Sequence, residues 1–386
     1  MSKKIIVGSD FSGVGAFNQA LIRLGIEYKE VFACDMDKYA RDTFIHNYGE
    51  PEYYPTNVYE REIPSKSLDI YMTSPPCQAF SLAGKRHGKE DKRGILFFNS
   101  HEFIQVNKPR FFIFENVKGL LSDDGGKTFQ EWINMLSGKS VNGLPVLFPH
   151  EESVPYHLYW QVLNAKNHGV PQNRERVFLI GIRDDVDNRF QFPREEHLTK
   201  RLKDVLEDEV DEKYFLSDKM INGFLAHNKR HIEEKNQTGF NWKPKNENDI
   251  AACLRANAAL AATDNTIKVK SDRVGKGVAQ TLDTACNQGV MIGISVHPFS
   301  KKLEFKGIET KTCPTLLATD YKAPKTWHYD NHEIRRLTPR ECFRLMDFPD
   351  SFTWPVSDSQ AYKQAGNSIV VNVLYKILKQ LPLLKS

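Results

Sequence analysis

The N-terminal part of the chain alternates short apolar runs with helically spaced apolar positions, the rhythm of strand-helix-strand units. Ile5-Ile6-Val7 reads as a strand, and after Gly13 and Gly15 the residues Phe17, Ala20, Leu21 and Leu24 share one helical face that stops at Gly25. Val31–Cys34, Leu68–Met72 and Phe111–Phe114 read as further strands. Runs this continuously apolar suit strands covered on both faces, as in a parallel sheet. Thr128 and Glu131 have capping-box spacing ahead of a helix with Phe129, Trp132, Ile133 and Leu136 on one face. From residue 195 the texture changes to an acidic stretch, Asp204 to Glu212, and then to Asn- and Lys-rich sequence with short β-like pieces. The pattern predicts an α/β domain over 1–194 and a second, smaller, mostly β or irregular domain over 195–330. Val370, Val373, Leu374, Ile377, Leu378 and Leu381 form an amphipathic stripe that needs a core to lie on, so 331–386 is expected to return to the first domain.

Composition narrows the classes. With 386 residues and 40% hydrophobic content, the chain can bury at least one sizeable core, and no fibrous or low-complexity period is visible. No apolar run is long enough to span a bilayer, and Asp10 interrupts the N-terminal apolar stretch before a secretory segment can form. A cytoplasmic, non-membrane protein is expected. Six cysteines without a CxxC fit neither a disulfide scaffold nor a zinc site, and no metal is expected. A net charge of +4 permits a nucleic-acid partner without demanding one.

Three stretches could carry chemistry. Asp10-Phe11-Ser12-Gly13-Val14-Gly15 lies between a strand and a helix, where glycines let the backbone turn tightly against a ligand. Asn18 stands where a dinucleotide fingerprint has its third glycine, and a plain β-α turn is the alternative. Asp35 lies about 20 residues after Gly15, where a carboxylate can take both hydroxyls of a ribose. The pair points to an adenosine-containing cofactor, NAD or S-adenosylmethionine. Ser74-Pro75-Pro76-Cys77-Gln78 follows a strand directly, so two prolines present a thiol rigidly at the carboxyl edge of the sheet. The alternative is a small buried hydrophobe. Glu115-Asn116-Val117 ends another strand at the same edge, placing a carboxylate where its proton affinity is open to perturbation, or simply in solvent.

Together these segments resemble the cytosine-5 DNA methyltransferases of the bacterial restriction-modification type, and the matches run along the chain in the family's order. Phe11-Ser12-Gly13-Val14-Gly15 resembles the cofactor loop, Asp35-Met36-Asp37 the ribose and adenine strand end, and Pro75-Pro76-Cys77-Gln78 the nucleophile motif. Glu115-Asn116-Val117 resembles the base-binding motif, and Gln172-Asn173-Arg174-Glu175-Arg176 the QxRxR motif. Arg335 to Glu341 resembles the RxLTPRE motif and Gly366-Asn367-Ser368 the closing GNS motif. Met36 replaces a common aromatic residue, and Asn57 a common aspartate.

The resemblance implies a Rossmann-like α/β S-adenosylmethionine-dependent methyltransferase sheet with helices on both faces, plus a target recognition domain over 195–330. Its catalytic residues would be Cys77, Glu115, Arg174 and Arg176. S-Adenosyl-L-methionine, leaving as S-adenosyl-L-homocysteine, would be held by Phe11, Ser12, Gly13, Val14, Gly15, Asp35, Met36, Asn57, Pro76 and Asn367. Gln78, Ser81 and Thr315 would contact DNA, and lysines between Lys301 and Lys325 could meet phosphates or form a solvated face. The implied reaction is methyl transfer to C5 of a cytosine flipped out of double-stranded DNA, through a covalent Cys77–C6 intermediate. The implied setting is a monomer in a bacterial or phage-infected cytoplasm, with a cognate restriction endonuclease acting separately. An NAD-dependent dehydrogenase leaves Cys77, Glu115, Arg174 and Arg176 without roles. A methyltransferase acting on tRNA shares the catalytic set, and an inactive DNA-binding scaffold does not need it.

Overall fold

The computed structural model describes residues 4–76, 95–215 and 333–383, with short strands at 279–280, 294–295, 304–305 and 328–330. Its centre is one eight-stranded sheet in the order β2-β1-β3-β4-β9-β7-β5-β6. These strands are β1 (Ile5–Asp10), β2 (Tyr28–Cys34), β3 (Ile70–Thr73), β4 (Phe111–Val117), β5 (Ser140–Val141), β6 (Leu144–Pro145), β7 (Tyr156–Asn164) and β9 (Glu175–Arg183). A short β8 (Gln172–Asn173) pairs in parallel with Ala279–Gln280. β1 to β4 are mutually parallel, and β9 runs antiparallel between β4 and β7.

The unbroken apolar run in β4 follows from burial on both faces: Phe111 and Ile113 enter one core, Phe112 and Phe114 the other. The first core takes α1 (Ala16–Leu24) and three C-terminal helices, α5 (Pro339–Leu345), α6 (Asp358–Asn367) and α7 (Val371–Gln380). The second takes α3 (Ile95–Asn107) and α4 (Lys127–Leu136). α2 (Lys38–Tyr48) sets Phe44 against Ala33 and Tyr54 beyond β2. Val371, Leu374 and Leu378 of α7 share a core with Phe17, Ala20 and Leu21 of α1, so the tail lies on the sheet that the N-terminal half builds.

Two expectations change. α4 begins at Lys127 after a left-handed Gly126 cap, because Asp124, Gly125 and Gly126 all take positive φ and turn the chain into the helix early. Thr128 therefore lies inside the helix and donates to Asp123, 2.6 Å away. The capping box is found instead at Thr338 and Glu341, with Pro339 as the first helical residue. Nor does residue 195 mark a break: Leu202, Val205 and Tyr214 are buried in the first core. The acidic stretch is anchored there, since Glu207 N–H donates to Glu341, Thr338 donates to the Glu207 carboxylate, and Arg344 donates to the Val205 and Leu206 carbonyls.

Candidate active site

Parallel pairing brings the carboxyl ends of β1 to β4 to one edge: Asp10 is in register with Cys34 and Thr73, and Thr73 with Phe114. The loops after these strands therefore start from one edge of the sheet, the edge where open α/β sheets bind ligands. At one end stands the glycine loop. Ser12 N–H donates to the Cys34 carbonyl (3.0 Å) and Gly13 N–H to Asp35 Oδ2 (2.8 Å). Asp37 N–H donates to Asp35 Oδ1 (2.8 Å), so each Asp35 oxygen braces one loop and keeps a lone pair for a further donor. Gly15 has φ +83°, and a Cβ there would stand 2.2 Å from the Tyr48 ring. Gly13, at φ +55°, has open space where a Cβ would point. Phe11 holds φ +58°, a left-handed strain unusual for an aromatic residue and common at ligand-binding turns.

The other residues that the resemblance assigns to the cofactor divide plainly. Ser12 Oγ lies 3.1 Å from Tyr54 Oη, and Val14 is buried in the core. Met36 is 86% exposed. The Asn57 side chain is engaged within its own turn, donating to Glu60 and accepting from Tyr59 N–H. Asn367 closes α6 and is exposed. Lys363 reaches Asp37 (2.5 Å), while Gln364 accepts from Thr43 and donates to the Tyr39 carbonyl, latching α6 to α2.

At the other end Glu115 lies within β4, its side chain only 9% exposed. Arg176 Nε stands 3.0 Å from Glu115 Oε1, an ion pair at the buried carboxylate. Burial pushes the Glu115 carboxyl up, against the pull of Arg176 and then Arg174. The site therefore favours a carboxyl that can share a proton. Arg174 is also buried and donates to the carbonyls of Gly366 (3.3 Å) and Ser368 (2.7 Å), which fixes the turn carrying Asn367. Gln172 donates to the Leu345 carbonyl at the end of α5 (2.8 Å).

Asn116, next to Glu115, is tied to the segment that leads to Cys77. Its Nδ2 donates to the Pro75 carbonyl (3.1 Å), and Ser74 Oγ lies 3.5 Å from the Phe11 carbonyl. The motif pointed to this segment, but the tether itself had no signal in spacing. Pro76 is exposed; Cys77, Gln78, Ser81 and Thr315 lie outside the described residues. Cys34, also at this edge, is buried, and burial followed by the Asp10 charge pushes its thiol up to about 12, which leaves it inert. A cavity of about 770 Å³ lined by Arg23, Lys200, Glu207 and Asp347 includes neither the glycine loop nor Glu115.

The family profile for C-5 cytosine-specific DNA methylases matches residues 7–382. The chain belongs to that family. This DNA cytosine-5 methyltransferase is 33% identical to the type II methyltransferase M.HpaII of Haemophilus parainfluenzae, over 96% of this chain and 88% of that one. It is 31% identical to the orphan methyltransferase M.SPRI of Bacillus phage SPR, over 98% and 97% of the two chains. A crystal structure of a Spodoptera frugiperda DNMT2 mutant superposes with a TM-score of 0.61 over 99% of both chains at 19% identity, a likeness of fold. The α/β sheet with helices on both faces is the methyltransferase fold, and the glycine loop lies at its carboxyl edge. Among the described residues, no helix is long and apolar enough to cross a membrane.

Proposed function

We propose that this methyltransferase transfers the methyl group of S-adenosylmethionine to C5 of a cytosine flipped out of a specific double-stranded DNA sequence, with Cys77 adding to C6. The observation that carries this reading is the buried Glu115 carboxyl facing Arg176 at 3.0 Å, its proton affinity raised by burial, at the same sheet edge as an open glycine loop. A buried carboxyl that can share a proton suits a pyrimidine N3 and its exocyclic amine.

The donor end fits an adenosyl ligand: there is space above Gly13, a braced Asp35 carboxylate, an exposed Met36 and an exposed Asn367. Phe11, Ser12, Gly13, Val14 and Gly15 shape the cradle, Asp35 takes the ribose, and Met36, Asn57, Pro76 and Asn367 flank it. When bound, S-adenosylmethionine supplies a methyl group made electrophilic by its sulfonium; S-adenosylhomocysteine is the product, and no metal takes part.

The chain's own residues do the rest. Addition of the Cys77 thiolate to C6 breaks the ring's conjugation and gives C5 the electron density that alkylation needs. Glu115 holds N3 and the amine as positive charge develops on the ring, and Arg176 holds O2. Arg174 keeps the Gly366–Ser368 turn against this pocket. A base takes the C5 proton, its bonding pair re-forms the C5–C6 double bond, and the C6–S bond breaks with its electron pair returning to the Cys77 sulfur. Gln78, Ser81 and Thr315 contact DNA, and the sequence between 215 and 330 reads the target. The enzyme works as a cytoplasmic monomer of bacterial or phage origin, alongside a separately acting endonuclease where one accompanies it.

A duplex carrying 5-fluorocytosine at the target should trap the enzyme covalently, because the fluorine cannot leave as a cation, and Cys77→Ala should form no adduct. Tritiated methyl transfer to DNA rather than to tRNA fixes the substrate. Active enzyme without an adduct would overturn addition to C6.

A further inference from the structure

A buried ion pair beneath the glycine loop takes no part in the steps above. Asp10 is the last residue of β1, and its side chain is fully buried. Arg61 reaches it from the irregular segment after Asn57: Nε stands 2.9 Å from both carboxylate oxygens and Nη2 2.8 Å from Oδ2. Tyr71 of β3 donates its hydroxyl to the same Oδ2 at 2.5 Å. Nη2 of Arg61 also donates to the Asn99 carbonyl in α3 (3.1 Å). The guanidinium lies 4.7 Å from the Phe103 ring, which stacks on Tyr71 at 4.1 Å. The hydroxyls of Thr73 and Ser100, 2.8 Å apart, tie β3 to α3 a second time.

One guanidinium thus joins four segments: the strand that feeds the glycine loop, the Asn57 turn, the strand that runs into Ser74-Pro75-Pro76-Cys77, and the helix that follows the Cys77 segment. Stability alone does not call for this arrangement, because well-packed apolar side chains of similar volume are often as stabilising as a buried ion pair. What a satisfied, bidentate polar network adds is direction, holding its partners at fixed distances where apolar contacts can slide. Group transfer depends on such placement, since a misplacement of about 1 Å can slow it about 100-fold.

We propose that Arg61, with Asp10 and Tyr71, is a positioning residue for methyl transfer: it fixes both ends of the Cys77 segment against the glycine loop, so that nucleophile, base and methyl donor meet in line. The group touches none of the reacting atoms. The inference rests on the mechanism proposed above.

The double variant Asp10→Leu/Arg61→Met removes both charges and keeps an apolar filling, while Tyr71→Phe removes one hydroxyl. For both, the unfolding midpoint, affinity for S-adenosylhomocysteine, KM for DNA and single-turnover methylation rate are measured beside wild type. The double variant should lose about 100-fold in single-turnover rate, with cofactor affinity and KM for DNA nearly unchanged. Tyr71→Phe should lose about fivefold, and Arg61→Lys, which keeps charge but not the planar fork, should restore only part of the loss. A folded double variant with the wild-type rate overturns the proposal; if the double variant does not fold, Tyr71→Phe decides, a wild-type rate overturning the proposal and a slowed one supporting it. A wild-type enzyme that methylates but forms no adduct with 5-fluorocytosine DNA counts against the mechanism, whatever these variants do.

Discussion

The glycine loop at the donor end offers backbone amides and open space, whereas the base end holds a buried carboxylate beside two guanidiniums. The difference follows the work proposed for each end. A donor that arrives already charged needs shape and hydrogen bonds present from the start, and backbone supplies both. A ring that gains charge only during reaction needs fixed charges in a water-poor site, where they act most strongly on the transition state. Damage at the donor end should therefore appear in affinity and stability, and damage at the base end in rate.

The largest effect should come from Glu115→Gln. The amide keeps the shape but cannot share a proton with N3, so single-turnover methylation should fall about 10²–10³-fold, while S-adenosylhomocysteine binding measured by calorimetry is retained. A normal rate would mean that the two ends do not differ in this way.

Next is a pair of glycines that sharpens the donor side. Gly15→Ala meets both a left-handed backbone, at about 1–2 kcal/mol, and the Tyr48 ring, at about 1–3 kcal/mol. Gly13→Ala meets only the first, because nothing stands within 4 Å of its Cβ. Denaturant unfolding should rank Gly15→Ala well below Gly13→Ala in stability. Equal losses would show that backbone strain alone sets the need for glycine.

Much of this contrast was legible in the sequence, for reasons that differ by residue. Glycines at a strand-to-helix turn, Cys77 after a strand and Glu115 in an apolar run are local signals, since strand period and turn chemistry are written in neighbouring residues. Asn116 bonding to Pro75, and Arg174 bonding to Gly366 and Ser368, are contacts between distant segments, set by strand order and register. The Thr128 capping box failed because positive-φ residues upstream decided where α4 begins. The break expected at 195 failed because acidic side chains look alike whether they face solvent or hold a helix cap such as Thr338.

Arg174 and Arg176 give a smaller effect that cuts across the two ends. Arg174 Nη2 holds two carbonyls of the turn that carries Asn367, so Arg174→Met should loosen the donor site and weaken S-adenosylhomocysteine binding about tenfold, the loss of roughly one charged hydrogen bond. Arg176→Met should leave that affinity unchanged and slow transfer. If both variants changed only rate, Arg174 would belong wholly to the base end and the Asn367 turn would not serve the donor.

The smallest effect concerns Glu30, beneath the donor end and distant from the base end. Its carboxylate accepts from Asn18 Nδ2 (2.6 Å) and Ser9 Oγ (3.3 Å), and burial pushes it up to about 7. A carboxyl with a raised folded value binds more protons folded than unfolded between its ordinary value and about 7. Stability should therefore fall as pH rises through that window, and the full penalty should be present above it. Glu30→Gln cannot ionise, and its amide can still accept from Asn18 and can donate to Ser9. The variant should flatten the decline of the unfolding midpoint between pH 5 and 8, and at pH 8 should melt about 2 °C above wild type. At pH 5, near the bottom of that window, the two should differ least, so equal midpoints at both pH values would place the Glu30 carboxyl near its ordinary range.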